Sequence, residues 1–134
     1  VRCWGANFTG QVGDNTNAQR PRPVKVKNVG GVGVLAGITQ ISAFGYHTCA
    51  RQSDGDAFCW GANSSGQGGD TTLTNPRLAP VAVDLSGVTS IATGQDHACA
   101  VSGSATWCFG NNDFAELGTG ASFGNHPTPG QVQG

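Results

Sequence analysis

The 134 residues carry a formal net charge of −1, with 37% hydrophobic and only 11% charged side chains. That balance excludes a disordered chain, and without a basic excess to neutralise phosphates, nucleic acid is not an expected partner. No run reaches the roughly 18–20 apolar residues of a membrane helix, and Val1-Arg2-Cys3-Trp4 has no signal-peptide pattern.

Twenty-two glycines and six prolines punctuate the chain. Such spacing suits short strands joined by tight turns, so the expected fold class is all-β. The N-terminal string Cys3-Trp4-Gly5-Ala6-Asn7-Phe8-Thr9-Gly10-Gln11-Val12-Gly13-Asp14 recurs almost unchanged from Cys59 to Asp70, and a worn third copy begins at Cys108-Phe109-Gly110-Asn111-Asn112. Self-similarity at about fifty residues marks a repeat architecture. Because residue 1 falls inside a repeat, the sequence reads as part of something longer.

After the first copy, Asn15 to Gln19 forms a polar turn. In Pro23-Val24-Lys25-Val26-Lys27 the valines share one face and the lysines the other, as in a solvated outer strand. Val29-Gly30-Gly31-Val32-Gly33-Val34 has no later counterpart: Pro23 and Ile41 are 18 positions apart, Pro80 and Ile91 only 11. The extra residues lack a phosphate-loop ending and read as a flexible loop. Ile38 to Ala43 and His47 to Arg51 are predicted strands, with Asp54-Gly55 turning the chain into Ala57-Phe58-Cys59-Trp60. The order then repeats through Pro80 to Asp84, Val88 to Ala92, His97 to Val101 and Ala105 to Phe109. Four short strands per period predict a β-propeller blade with its small-residue strand nearest the axis. The expected units are 1–28, 29–84 and 85–134, about two and a half repeats.

These residues resemble the regulator of chromosome condensation repeat family. The match runs through Trp60-Gly61, Asn63, Gly66-Gln67, Gly69, Pro80-Val81, Ile91, Gly94, His97 and Ala100, and through Trp4-Gly5, Asn7, Gly10-Gln11, Gly13, Pro23-Val24, Ile41, His47-Thr48 and Ala50. Phe44 departs from the pattern where Gly94 keeps it, and Ala115-Glu116-Leu117-Gly118 replaces the usual Gly-Gln-x-Gly. The resemblance implies a seven-bladed ring, which needs roughly 350 residues at about fifty per blade. Remaining blades or further copies of the chain are therefore expected partners. Relatives include a nucleotide-exchange factor for a nuclear GTPase and a secreted inhibitor of β-lactamase.

The repeat sorts the five cysteines. Cys49 and Cys59 lie on the two arms of one predicted hairpin, Cys99 and Cys108 on the next, where opposed residues come close enough for a disulfide. Cys49–Cys59 and Cys99–Cys108 are the expected pairs, and the partner of Cys3 is expected upstream of residue 1. Buried thiols are the alternative; zinc is disfavoured because no Cys-x-x-Cys pair occurs. Disulfides imply an oxidising compartment, so the expected location is secreted or cell-surface.

His47 and His97 occupy equivalent positions, which favours a structural hydrogen bond to a neighbouring strand over catalysis or metal binding. Trp4, Trp60 and Trp107 are expected to pack between blades, with Phe109 at the aligned position of the third copy. Gln11 and Gln67 belong to the repeat scaffold. Asp14 to Asn17 and Asp70 to Thr72 lack the later acidic ligand of a calcium loop. Asn7-Phe8-Thr9 and Asn63-Ser64-Ser65 fit the glycosylation sequon, although their asparagines belong to the repeat signature.

No catalytic, cofactor or metal site emerges. The favoured function is a non-catalytic extracellular binding or scaffold module that engages a protein or glycan through its loops. The alternatives are a structural subunit of a surface layer or fibre, a secreted enzyme inhibitor and, least favoured, a guanine nucleotide exchange factor. Function is expected where the copies differ, at Val29 to Val34, Thr71 to Leu78 and Ala121 to Gly130.

Overall fold

The computed structural model describes all 134 residues and contains ten strands. They are β1 (Arg2–Gly5), β2 (Arg20–Lys25), β3 (Ile38–Phe44), β4 (His47–Gln52), β5 (Ala57–Gly61), β6 (Arg77–Ala82), β7 (Val88–Thr93), β8 (His97–Ser102), β9 (Ala105–Asn111) and β10 (Asn125–Gln131). β3-β4-β5-β6 and β7-β8-β9-β10 form two four-stranded antiparallel sheets, and β1-β2 a two-stranded one equivalent to β5-β6. The chain is thus a propeller fragment of two blades and the outer half of another. No helix is long and apolar enough to cross a membrane.

Proline fixes the outer strands. Pro21 and Pro23 lie in β2, Pro80 in β6, Pro127 and Pro129 in β10, and Pro76 just before β6. A missing N–H is tolerated at a sheet edge and not in its middle. The β5-β6 register slips between Cys59↔Val81 and Gly61↔Arg77, and Pro80 falls inside the slip. Two of the outer strands start earlier than the valine alternation predicts, at Arg20 and Arg77.

The core lies between blades rather than within one. Val26, Leu35, Ala50, Phe58 and Trp60 join the half-blade to the β3–β6 sheet. Cys49, Ala57, Cys59, Val88, Ile91, Ala98, Ala100 and Phe109 join that sheet to the next. Alanines at the contact let the sheets approach closely. Along the inner edge, Gln40 Nε2 donates to the Ile91 carbonyl at 2.9 Å while its Oε1 accepts from the Ile91 N–H at 3.1 Å. Ser42 Oγ likewise accepts from the Thr93 N–H at 3.0 Å. Side chains of β3 therefore satisfy the backbone groups that edge strand β7 leaves open.

The Val29 to Val34 insertion is not a free loop. Val29–Gly31 makes a short 3-10 turn, Gly31 packs against the Asn15 side chain, and Leu35 closes the segment into the interblade core with its N–H donated to Val26 O at 3.1 Å. The Ala121 to Gly130 segment is likewise half strand, because β10 begins at Asn125.

Candidate functional site

Each blade raises a β3–β4-type turn and a long β5–β6-type loop at one end, and each long loop is built around one buried asparagine. Asn7 Nδ2 donates to the carbonyls of Thr16 and Ala18 at 2.9 and 3.0 Å while its Oδ1 accepts from the Val12 N–H at 2.9 Å. Asn63 does the same with Thr72, Thr74 and Gly68, and Asn112 with Ala121, Ser122 and Leu117. A side chain that supplies donors to one end of a loop and an acceptor to the other fixes both. The amide nitrogens of Asn7 and Asn63 are thus occupied and fully buried, and neither sequon presents a nitrogen that the folded protein can glycosylate.

An ion pair closes the two complete copies of this loop. Arg20 donates to Asp14 and Arg77 to Asp70, so the carboxylates that resemble calcium ligands are committed to guanidinium groups. Burial pushes the Asp14 carboxyl upward, but hydrogen bonds from Thr16, Arg20 and Asn7 and the Arg20 charge outweigh it and hold the group below its ordinary value. No group of three metal-ligating side chains comes together.

Between blades, the loop of one unit receives the aromatic of the next. Trp60 Nε1 donates to Gln11 O at 2.9 Å, Thr48 Oγ1 donates to the same oxygen at 3.0 Å, and the indole lies over Gly13. Phe109 lies over Gly69 in the same way. Gln67 is buried, accepting from the Ser65 N–H and donating to Asp96 across the joint at 3.3 Å. The other two tryptophans do not share this packing. Trp4 is 64% exposed because the half-blade has no neighbour on that side, and Trp107, one residue out of register, is only partly buried.

Cys49 pairs with Cys59 and Cys99 with Cys108, each directly opposed across a hairpin with Cα atoms 4.1 Å apart. Cys3 is a free thiol, raised in pKa by burial against the lowering effect of the N-terminal charge. It opposes Val24 as Cys59 opposes Val81, while the side that Cys49 covers in Cys59 stays uncovered. That side is an open cleft of about 290 Å³ lined by Cys3, Trp4, Phe44 and His47 among others.

The two histidines sit in different surroundings despite their equivalent repeat positions. His97 packs its ring on Gly94, where a Cβ would come within 2.3 Å of the ring. Phe44 stands at the equivalent position before His47, so the same pose is closed to His47. His47 is only 2% exposed, and neither ring nitrogen makes a well-formed hydrogen bond. Burial lowers its pKa to about 4, the Asp96 carboxylate and a weak hydrogen bond with the His97 backbone opposing and the His97 charge adding to the effect. The buried His47 ring is thus part of the interblade joint, facing Asp96 and His97 of the next blade.

The family model for the regulator of chromosome condensation (RCC1) repeat matches residues 2–51 and 54–101. The chain belongs to the RCC1 repeat family. Human Alsin is 36% identical over 99 residues, covering 72% of this chain and 6% of Alsin. The mitochondrial RCC1 domain-containing protein RUG3 of Arabidopsis thaliana is 31% identical over 118 residues, covering 86% of this chain and 26% of RUG3. The solved structure of Prp20p from Saccharomyces cerevisiae superposes with a TM-score of 0.82 at 20% identity, covering 99% of this chain and 34% of Prp20p. The RCC1 repeats here thus span a minor part of each longer relative.

Two of the three divergent stretches, 71–78 and 121–130, reach the loop end and the second contains Phe123, but Phe8, Tyr46 and Phe114 fall outside them. Phe8, Tyr46, Phe114 and Phe123 are 57–89% exposed and sit in the turns and loops at that one end, with Phe44, 61% exposed, at the adjoining end of β3 beside the cleft. Thr9 Oγ1 donates to Tyr46 O and Asn125 Nδ2 to Ser64 O, which joins the loops of successive RCC1 repeats into one continuous surface. The available signal was an aromatic beside the loop asparagine, as in Asn7-Phe8 and Asn112-Asp113-Phe114.

Proposed function

We propose that this RCC1-repeat chain is a non-catalytic protein-binding module whose contact surface is the loop end, working in an oxidising, extracellular or cell-surface setting. The observation that carries the reading is the segregation of aromatics. Phe58, Trp60 and Phe109 are buried between blades, whereas Phe8, Tyr46, Phe114 and Phe123 are exposed in the loops of one end, and exposed apolar clusters of this kind mark interaction surfaces. Prp20p is described by its binding to Gsp1p and histones, which is consistent with the family using propellers as interaction platforms. The open cleft beside β1 lies where an inner strand stands in the two complete blades. The two hairpin disulfides support the oxidising compartment.

Selection of peptides from a random twelve-residue display library tests the reading. Hydrogen exchange with a selected peptide is expected to protect residues 6–19, 44–46, 62–76 and 112–124. Protection confined to the opposite turns, 53–56 and 103–104, is the contrary result. Alkylation without reduction, read by mass spectrometry, tests the compartment: Cys49, Cys59, Cys99 and Cys108 should stay unmodified in protein from its native source.

A further inference from the structure

We infer that the partner segment accepted by this loop end is cationic, a peptide stretch carrying arginine or lysine side chains. The inference rests on the loop end being the contact surface and concerns its chemistry. Both arginines at this end, Arg20 and Arg77, are spent on Asp14 and Asp70. Asp96, Asp113 and Glu116 are left there with no cation in an ion pair, and Lys25 and Lys27 lie away from the loops, at and just beyond the far end of β2. The charges also sit among the aromatics. Phe114, 89% exposed, stands in one turn with Asp113 and Glu116, whose Oε2 accepts the Phe114 N–H at 2.7 Å. Asn111 ties that turn to Asp96 through its N–H at 2.8 Å and to Asp113 through its Nδ2 at 2.9 Å.

An exposed aromatic face flanked by unpaired carboxylates offers a guanidinium or ammonium group two attractions at once, quadrupole and charge. An anionic partner meets uncompensated carboxylates in these loops, since the guanidinium groups of Arg20 and Arg77 are already neutralised and the nearest free one, Arg22, lies further along β2. Charge complementarity also selects the partner more than it raises affinity, which suits a recognition surface.

The probe is a fluorescein-labelled twelve-residue peptide alternating Arg and Ser, compared with the same peptide carrying Glu for Arg. The Arg peptide is expected to bind saturably and the Glu peptide not at all. Asp113→Asn with Glu116→Gln should weaken the Arg peptide by about tenfold, and raising the salt from about 50 to about 300 mM should weaken it further. Phe114→Ala should lower affinity separately. Asp56→Asn, at the opposite end, should leave it unchanged; Asp96 is not substituted because it holds Gln67. Equal binding of the two peptides, or equal loss from Asp56→Asn, overturns the inference. Library peptides that protect the loop end but carry neutral or acidic sequences overturn the cationic partner and leave the contact surface standing.

Discussion

Trp60 of one blade donates its indole N–H to the carbonyl oxygen of Gln11 in the preceding unit at 2.9 Å, and the same oxygen accepts the Thr48 hydroxyl. The bond turns the recurrent Trp-Gly and Gly-Gln elements into two halves of one joint. Trp60→Phe keeps most of the apolar area, as Phe109 does in the next joint, and should cost about 1 kcal/mol for the lost hydrogen bond. Trp60→Ala should cost about 3–5 kcal/mol. Urea melts of the two variants check this, and equal losses would contradict a distinct contribution from the hydrogen bond.

Gly69 makes the corresponding contact on the other side of the blade. A Cβ there would lie 2.8 Å from the Phe109 ring, at a φ of +61° that side chains with a Cβ rarely adopt. Gly69→Ala should therefore destabilise by about 2–3 kcal/mol, from overpacking and backbone strain together. Gly103→Ala, which has a positive φ but open space, should cost less. Thermal melting of the pair separates crowding from backbone conformation.

His47 makes stability depend on pH. Its native pKa is about 4 against 6.5 for the free side chain, so between these values the unfolded chain binds a proton that the native chain does not. Stability is fully present above about 6.5 and falls as the pH drops toward 4, by about 3 kcal/mol for this group. His47→Leu should remove that part of the slope. Urea midpoints of both proteins at intervals from pH 7 to 4 measure it, and parallel curves would refute the assignment.

The Cys49–Cys59 bond lies in the interblade core and should matter to assembly of the blades, not only to its hairpin. Cys49→Ala with Cys59→Ala should lower stability by about 2–4 kcal/mol. A urea midpoint unchanged from that of the intact protein would show the bond to be incidental.

What the sequence makes legible here is what depends on neighbours along the chain. The hairpin cysteines, the Asp54-Gly55 turn and the prolines of the outer strands follow from local rules of pairing and turn chemistry. The fate of equivalent residues does not, because burial is decided across blades. Ile91 is buried and its counterpart Ile41 is 47% exposed, since the half-blade lacks the inner strands that would cover it. His47 and His97 occupy the same repeat position yet point differently, because Phe44 replaces a glycine three residues earlier. The aromatic end is legible in part, since Phe123 falls in the divergent 121–130 stretch while Phe8 and Phe114 do not. Only the shared asparagine scaffold brings those positions to one surface.

On the proposed reading the residues divide their labour: the recurrent ones hold the blades, and the exposed aromatics make contact with partners. Binding of the Arg-Ser peptide, measured beside thermal melting on Phe114→Ala/Phe123→Ala and on Trp60→Ala, tests it most directly. The account predicts that the phenylalanine pair loses at least about tenfold in affinity with an unchanged melting temperature, while Trp60→Ala melts earlier and binds normally below its transition. Binding retained by the phenylalanine pair, or lost by Trp60→Ala while still folded, would contradict it.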